Sequence, residues 1–438
     1  MRGQAPRAFT SAVLAQASRA LLPVEPVATY WRHDDDSPLS QRLGQIITAT
    51  PSLQSPTYRP TPWARGSKAN FALATVRSRF GAVRRKMEPP LEGRVSETTD
   101  PDVTVEWTKD PLGYQLPDDA PVVIFLHTIT GSAAQTRWLM KYASRRGWRS
   151  CVFVRRGHGG PLQSPSFNLL GSVEDVQLQL AAVERAYPRA SFRAMVGVSA
   201  GSAQLISYLG RAGVDTPIGA ACAICPAWDV PTAFSSLGAT QPFAEKAMLR
   251  SVQKAFLRGK NKAVLRAFDA RAFERCAAAS SLPALMDAHA PFAMRDRAAT
   301  ADDYHRAHDP MMDRHGVAVP TLLLNAEDDF VCPASLARPD VIVKEQPGAL
   351  LLVTRSGSHV AFNEGLLARG AFHLRVSFDF LDAALSTSSA EEAEPRGTLQ
   401  GVVVPTRRRD GLMRQSAAAA AVRAGQQSVE PDQPAATV

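Results

Sequence analysis

Short apolar runs alternate with stretches of helical periodicity along the chain from residue 121 onward. Because nearly every position of these runs is apolar, they predict strands that are buried on both faces of a sheet. Strands of this kind that alternate with helices indicate a doubly wound, mostly parallel α/β fold. The runs that predict the strands are VVIFLH (122–127), SCVFV (150–154), FRAMVGV (192–198), AACAIC (220–225), TLLLNA (321–326) and ALLLVT (349–354).

The same pattern divides the chain into three parts. Residues 57–385 hold the α/β rhythm, which ends with a helix near 366–385. A long helical stretch at about 227–315 interrupts the alternation and predicts a cap inserted between two strands. Residues 1–56 are expected to form an N-terminal arm that is either a targeting segment or disordered. Residues 386–438 are expected to form a disordered tail.

The N-terminal part carries most of the excess positive charge. Of the formal net charge of +9, residues 1–98 contribute +7, from fourteen Lys/Arg and seven Asp/Glu. Residues 1–24 contain three arginines and no acid, a composition typical of an organelle transit peptide, although a disordered or weakly helical N-terminus fits it equally well. The core shows no zinc-finger, RNP or helix-turn-helix signature, so no nucleic-acid partner is predicted.

Cysteine usage and hydropathy bear on the compartment and the cofactors. The five cysteines are an odd number spread over 438 residues, which argues against a disulfide framework and for a reducing environment. Cys222 and Cys225 form a lone C-x-x-C pair inside an apolar run, so they are interpreted as structural rather than metal-binding. No window reaches the roughly 18 uninterrupted apolar residues of a membrane-spanning helix. We therefore expect an intracellular protein, cytoplasmic or organellar rather than secreted, with no metal or other cofactor.

Residues 197–201, GVSAG, fit the pattern G-x-S-x-G at the junction of a predicted strand and a predicted helix. Small residues are needed beside a nucleophile on such a turn, because the backbone is strained and the strand and helix pack closely. The alternative, a phosphate-binding turn, is disfavoured because G-x-G-x-x-G is missing from the first strand-to-helix turn and G-K-[ST] is missing from the chain. Ser199 is therefore the candidate nucleophile, and the helix N-terminus behind it favours developing negative charge.

An acid and a histidine follow Ser199 in the order Ser, Asp, His that one class of catalytic triads uses. The cluster Glu327-Asp328-Asp329 follows TLLLNA, at a strand end where catalytic groups collect in parallel sheets. Asp329 is favoured over Asp328 because it has the D-x-V-x-P context usual for the acid. His359 lies in a loop of small residues after ALLLVT, in the position of the base.

The loop HTITGS at 127–132 is expected to complete an oxyanion hole. We predict that the amides of Ala200 and Ile129 are its two donors, since a backbone N–H serves whatever the side chain. His127 is interpreted as a support of this loop rather than a proton shuttle. The segment RRGHGG (155–160) is interpreted as a tight turn near the pocket rather than a phosphate cradle.

Further motifs occur in a characteristic order, namely YRPTPWARG (58–66), VEW (105–107), HTITGS (127–132), RGWRSCVFVRRGHGG (146–160), SVEDV (172–176), AMVGVSAGSAQLISYLG (194–210), DDYHRAHDP (302–310), PTLLLNAEDD (320–329) and GSHVAF (357–362). With them, residues 57–385 resemble the YheT-like branch of AB-hydrolase-domain proteins in the α/β-hydrolase superfamily. The resemblance implies triad roles for Ser199, Asp329 and His359. It also implies an esterase or lipase that acts on medium-chain acyl esters, monoacylglycerols or phospholipids.

Two positions depart from the usual pattern of that branch. The branch usually has Gly at the position of Thr128, and a second Gly at the position of Ser202, directly after the G-x-S-x-G pattern. Because a β-branched Thr does not readily adopt a positive φ, the geometry of the loop decides between Ile129 and Thr128 as the second donor. The N-terminal membrane helix of the animal members is not expected in this chain.

The cap stretch 243–268 places Met248, Val252 and Phe256 at helical spacing beside basic residues. It predicts either an amphipathic lid that touches an anionic lipid surface or a cap helix packed on the core. Either arrangement predicts an acyl chain in the substrate. The sequence therefore predicts a serine hydrolase of carboxylic esters. The alternatives are an acyltransferase that makes esters from an acyl donor and an alcohol, and a non-catalytic lipid-binding protein of the same fold.

Overall fold

The structure is a computed structural model that describes residues 24–32, 36–74, 76, 93–108 and 116–393. Nearly all of the predicted targeting segment 1–24, and most of the predicted tail 386–438, lie outside these residues. The strands are β1 (Glu25–Pro26), β2 (Ala28–Tyr30), β3 (Thr57–Tyr58), β4 (Gly93–Glu97), β5 (Thr104–Thr108), β6 (Val122–Leu126), β7 (Arg149–Val154), β8 (Arg193–Val198), β9 (Ala220–Ile224), β10 (Thr321–Ala326), β11 (Ala349–Thr354), β12 (Asn363–Glu364) and β13 (Gly370–Ala371).

The helices lie mainly between the strands. They are α1 (Pro38–Ala49), α2 (Pro51–Gln54), α3 (Ala133–Arg145), α4 (Val173–Ala186), α5 (Ala200–Ala212), α6 (Val230–Thr240), α7 (Pro242–Phe256), α8 (Lys260–Phe268), α9 (Ala270–Ala278), α10 (Leu282–Met294), α11 (Ala301–Ala307), α12 (Pro310–Asp313), α13 (Pro339–Glu345) and α14 (Phe372–Ala393). In the part of the chain that the structure describes, no helix has both the length and the apolar character needed to cross a membrane.

Nine of the described strands form one mixed sheet in the order β2-β11-β10-β9-β8-β6-β7-β5-β4. The six strands from β11 to β7 run parallel to one another, whereas β2, β5 and β4 pair antiparallel at the two edges. These six parallel strands coincide with the six apolar runs of the sequence. The predicted α/β-hydrolase type of fold, a doubly wound and mostly parallel sheet, is confirmed.

Two apolar layers hold the helices against the sheet. One layer joins Leu43 of α1 and Phe378 of α14 to Phe125 of β6. The other layer joins Leu205 of α5 to Ile124, the residue beside Phe125 in the same strand. Because successive strand residues point to opposite faces, helices on both faces require apolar residues at every strand position.

The parallel strands bring their carboxyl ends to one edge of the sheet. Leu126 at the end of β6 pairs with Gly197 of β8, and Ala326 at the end of β10 pairs with Thr354 of β11. The loops that follow these strands therefore begin side by side. The sheet register thus places three distant parts of the sequence at one site.

Helices α6 to α12 lie between β9 and β10 in the sequence. A third apolar cluster joins Val252 and Phe256 of α7 to Phe292 of α10, and it extends to Ile129 and Ala200 beside the sheet. The basic side chains of α7 are exposed on the opposite face. In this structure α7 is a cap helix packed on the core, with its apolar stripe turned inward.

Residues 25–32 and 36–56 differ from the predicted N-terminal arm because they fold onto the sheet. Strand β2 pairs with β11 at one edge, and Leu43 and Ile46 of α1 are fully buried. The Ser37 hydroxyl accepts a backbone N–H at the start of α1, and Pro38 occupies the first turn, where a proline removes no helical hydrogen bond. Pro38 and Pro51 each begin a helix rather than interrupt one.

Helix α14 continues past Leu385, the predicted end of the domain, to Ala393. The prediction of disorder from residue 386 is therefore wrong for residues 386–393. The Ser386 and Thr387 hydroxyls donate to carbonyl oxygens one turn earlier, which lets polar residues prolong the helix.

Truncation of Ile46 tests whether α1 belongs to the folded domain. Ile46→Ala removes fully buried methyl and methylene groups and should lower the free energy of unfolding by about 2–5 kcal/mol, measured by denaturant unfolding of the full chain. Gln45→Ala, at an exposed position of the same helix, is the control and should change it by less than about 0.5 kcal/mol. Equal stability of the two variants would show that α1 adds nothing to the fold.

Candidate active site

Ser199 lies on the sharp turn between β8 and α5, at the carboxyl edge of the sheet. Its backbone has φ 56° and ψ −121°, a conformation that residues other than glycine rarely adopt. The Ser199 N–H donates to the Ile224 carbonyl oxygen of β9 at 2.8 Å, which fixes the turn to the sheet. Strain of this kind persists where the surrounding structure imposes it, and it often marks a functional position.

Two glycines allow α5 to approach the sheet closely enough to impose this turn. A Cβ atom on Gly197 would lie 2.6 Å from the Gly201 carbonyl oxygen. A Cβ atom on Gly201 would overlap the Leu126 carbonyl oxygen of β6. Neither position therefore accepts a larger residue without a shift of the backbone. The spacing of the two glycines around Ser199 follows from this close contact of helix and sheet.

Ser199, His359 and Asp329 form a continuous chain of hydrogen bonds. Ser199 Oγ lies 2.8 Å from His359 Nε2, and His359 Nδ1 lies 2.9 Å from Asp329 Oδ2. The other oxygen of Asp329 accepts the N–H groups of Val331 and Cys332, each at 2.8 Å. Since an ionised carboxylate only accepts, His359 Nδ1 carries the proton and Nε2 is free to accept the proton of Ser199. All three side chains are buried.

Asp328 contacts the backbone beside the histidine and not its ring. Its Oδ1 accepts the Ser358 N–H at 2.7 Å. Ser358 and Val360, on either side of His359, have φ values of 53° and 60°, so the loop is held in a strained conformation. Burial, with a smaller contribution from Asp329, raises the pKa of Asp328 to about 6. Asp328 thus ties the loop after β11 that carries His359, here called the histidine loop, to the loop after β10 that carries both aspartates, here called the acid loop. Asp329 contacts the His359 ring itself.

The amides of Ala200 and Ile129 lie in the two segments predicted to supply an oxyanion hole. Ala200 begins α5, and Ile129 follows β6, the strand beside β8. Within the described residues neither amide has an acceptor, so both remain available to a substrate oxygen. Thr128 does not have a positive φ. The loop therefore forms without the glycine that is usual at this position.

Buried side chains hold the 127–132 loop from behind. His127 Nε2 accepts the Arg155 backbone N–H at 3.3 Å, so Nδ1 carries the proton and donates to the Thr128 carbonyl oxygen at 2.9 Å. The Arg155 guanidinium donates to the same oxygen, and His158 Nε2 donates to the Ile129 carbonyl oxygen at 2.9 Å. Burial, together with the charge of Arg155, lowers the pKa of both histidines and keeps them neutral.

These contacts extend what the sequence could indicate about the loop. His127 supports it, as interpreted, and both of its ring nitrogens are engaged. The His158 N–H donates to the Arg155 carbonyl oxygen at 2.9 Å, so the two residues close a tight turn, but the sequence did not indicate their contacts with the loop. Nothing in RRGHGG distinguishes such supports from ordinary polar turn residues, because the contacts form only when β6 and β7 pair.

Ser202 is the second departure from the usual pattern of the branch, and it is fully buried in α5. Its hydroxyl donates to the Ser199 carbonyl oxygen at 2.5 Å. A serine can satisfy its own hydroxyl in this way inside a helix. The substitution of glycine by serine is therefore accommodated without a contact to the Ser199 side chain.

Cys225, Asp329 and His359 form the one group in the described part of the chain with a spacing that could hold a metal ion, since their ligand atoms lie within 4.8 Å of one another. Two of these groups already bond to each other. Burial and the nearby Asp329 raise the pKa of Cys225, which disfavours the thiolate that a metal would need. The residues therefore fit a hydrogen-bonded triad better than a metal centre.

Comparisons with known proteins give the family of the chain and several similar proteins. The family model Hydrolase_4, described as serine aminopeptidase, S33, matches residues 117–364. The chain is 28% identical over 348 residues to phospholipase ABHD3 of Mus musculus, which covers 75% of this chain and 78% of that protein. It is 26% identical over 281 residues to YheT of Escherichia coli K12, which covers 60% and 76%. An esterase structure from Pyrococcus furiosus is 15% identical, with a TM-score of 0.45, over 68% of this chain and 92% of that one.

Substitutions at the two neighbouring aspartates should separate their roles. Asp329→Asn should lower kcat by about 10⁴-fold, because an amide no longer holds the imidazole in the required tautomer. Asp328→Asn keeps an acceptor for the Ser358 N–H and should stay close to the wild type. Asp328→Ala removes that acceptor and should lower kcat by about 100-fold through misplacement of His359.

The measurement is steady-state hydrolysis of an activated p-nitrophenyl ester by the full chain, with circular dichroism as the check on folding. A loss in Asp328→Asn as large as the loss in Asp329→Asn would contradict this division of roles.

Proposed function

The chain belongs to the Hydrolase_4 family (serine aminopeptidase, S33) of α/β-hydrolases, and from that premise we propose that it cleaves carboxylic esters of acyl chains through an acyl-enzyme on Ser199. The observation that carries the proposal is the hydrogen-bonded chain from Ser199 through His359 to Asp329 on a strained turn. A serine hydroxyl becomes an effective nucleophile when a base held by an acid can take its proton.

In the first half of the reaction, Ser199 Oγ attacks the ester carbonyl carbon while His359 Nε2 takes the hydroxyl proton. Asp329 stabilises the imidazolium that forms and does not itself take the proton. The negative charge on the former carbonyl oxygen is held by the amides of Ala200 and Ile129, at the N-terminal end of α5 and in the adjacent loop. His359 then gives its proton to the leaving alcohol as the C–O bond breaks.

The second half repeats these steps with water. His359 takes a proton from a water molecule as its oxygen attacks the acyl carbon on Ser199. The tetrahedral intermediate collapses, the bond to Ser199 Oγ breaks, and His359 returns the proton to that oxygen. A carboxylic acid leaves, and the enzyme is restored without any external oxidant or reductant.

The apolar packing of the cap supports the proposal that the substrate carries an acyl chain. The third apolar cluster includes Phe256 and Phe292 of the cap together with Ile129 and Ala200, so apolar side chains pack around both proposed oxyanion donors. Phe167 stacks between the two phenyl rings, with centroid separations of 4.8 and 5.6 Å. This apolar packing, together with the phospholipase among the relatives, supports our proposal of medium-chain esters, monoacylglycerols and phospholipids as substrates.

Two rival functions use the same fold. An acyltransferase would share the acyl-enzyme and differ only in whether an alcohol or water accepts the acyl group. A non-catalytic lipid-binding protein would keep the cap and lose turnover. The hydrogen-bonded triad, and an oxyanion loop that forms with Thr128 in place, favour catalysis over binding alone.

A panel of p-nitrophenyl esters from acetate to palmitate tests the reaction and the acyl site together. Each buried methylene contributes about 0.8 kcal/mol, so kcat/KM should rise about fourfold per methylene until the site is filled. Ser199→Ala should lower kcat on the order of 10⁶-fold. Ser207→Ala, a buried serine on the same helix, is the matched control and should remain active.

The same panel includes amino-acid p-nitroanilides as aminopeptidase substrates. Faster turnover of these amides, or a rate that does not depend on acyl length, would contradict the proposed ester specificity. Product analysis in water–ethanol mixtures separates hydrolysis from transfer, since a transferase would yield mainly ethyl esters at low ethanol.

A further inference from the structure

An exposed apolar surface lies next to the histidine loop. Trp63, Leu366 and Leu367, here called the Trp–Leu patch, are 59%, 50% and 65% exposed. Single exposed apolar residues are ordinary, but neighbouring ones mark a contact surface. The catalytic scheme proposed above does not use these three side chains.

Hydrogen bonds between two distant chain segments assemble the patch. Trp63 belongs to the 3₁₀ turn Pro62–Ala64, and both leucines lie at the tip of the hairpin between β12 and β13. Trp63 Nε1 donates to the Leu366 carbonyl oxygen at 2.7 Å. The Thr61 hydroxyl donates to the Gly365 carbonyl oxygen at 2.9 Å. The polar edge of the indole is thus already satisfied by the protein, which leaves the ring as an anchored apolar surface.

The charge around the patch is positive. Lys68 and Arg369 are exposed, and the stretches 58–70 and 365–371 contain no acidic residue. Of the described carboxylates near these stretches, two are already paired, while Glu327 and Asp328 line one pocket with Arg65 and Ser67. Glu25 bonds to Arg65, and Glu364 bonds to Arg375. The surface therefore combines apolar side chains with exposed basic residues at its border.

We propose that the Trp–Leu patch binds the protein to an anionic lipid surface. Tryptophan favours the boundary between headgroups and acyl chains, leucine inserts below it, and Lys or Arg attracts anionic headgroups. Three side chains are too few for a stable protein interface, which buries on the order of 1,000 Å² with matching shape. A lipid surface requires no matching shape, so charge and apolar exposure are sufficient.

The position of the patch connects it with the site. The hairpin follows the histidine loop directly, and the Phe372 N–H after β13 donates to the Phe362 carbonyl oxygen at 3.0 Å. The cap offers a weaker candidate for the same contact, since the apolar stripe of α7 is turned inward and mainly Phe243 is exposed. Lipid binding through the patch would therefore bring the loop that carries His359 close to the bilayer.

Vesicle binding by the full chain tests this inference independently of turnover. The wild type should co-sediment with phosphatidylcholine vesicles that contain phosphatidylglycerol and much less with phosphatidylcholine alone, and binding should weaken with salt. The double variant Leu366→Asp/Leu367→Asp should bind more than about tenfold more weakly. Lys68→Gln and Arg369→Gln should each weaken binding about fivefold.

Phe243→Asp is the matched control, an exposed apolar residue on the cap, and should bind as the wild type does. Thermal unfolding checks the fold, and because all the substituted side chains are exposed, every variant should melt with the wild type. Equal binding by the wild type and the double leucine variant would overturn the proposal. It would also be overturned if the wild type fails to bind anionic vesicles, if binding is lost only in Phe243→Asp, or if the patch instead mediates a dimer that the double variant abolishes.

Discussion

The close contact between the start of α5 and strands β6 and β8 is the constraint on which the rest of the site depends. Gly197 and Gly201 allow backbone to meet backbone where any side chain would collide. The contact leaves Ser199 with φ 56° and sets its side chain within 2.8 Å of His359 Nε2. Because Ala200 begins α5, its N–H has no acceptor among the described residues. The turn thus gives Ser199 the geometry proposed for a nucleophile and sets beside it the Ala200 amide that we propose as an oxyanion donor.

The other residues proposed for catalysis reach Ser199 because the parallel strands end at one edge. The acid loop after β10 divides its two aspartates between two tasks: Asp329 bonds to the His359 ring, and Asp328 bonds to the backbone that carries it. Behind the oxyanion loop, His127 and Arg155 bond to the Thr128 carbonyl oxygen. Each reactive group is therefore held by a second group that does not react, as precise positioning requires.

Much of this arrangement could be predicted from the sequence, because it is encoded in local patterns. Six apolar runs predict the six parallel strands, and the order of Ser199, Asp329 and His359 follows the strand ends. The edge strand β2 and helix α1 could not be recognised as easily. A proline such as Pro38 usually indicates that a helix is interrupted, unless it is known to lie in the first turn. The supports Arg155 and Asp328, and the approach of Trp63 to Leu366, depend on contacts between segments far apart in the chain.

We propose that the strained turn makes Ser199 the nucleophile. Labelling with a fluorophosphonate probe, followed by peptide mapping of the adduct, tests this most directly, because the probe reacts only with a serine that is activated by a base. We expect a single adduct on Ser199, lost in Ser199→Ala and strongly slowed in His359→Ala. An adduct on another serine, or no labelling of correctly folded protein, would contradict it.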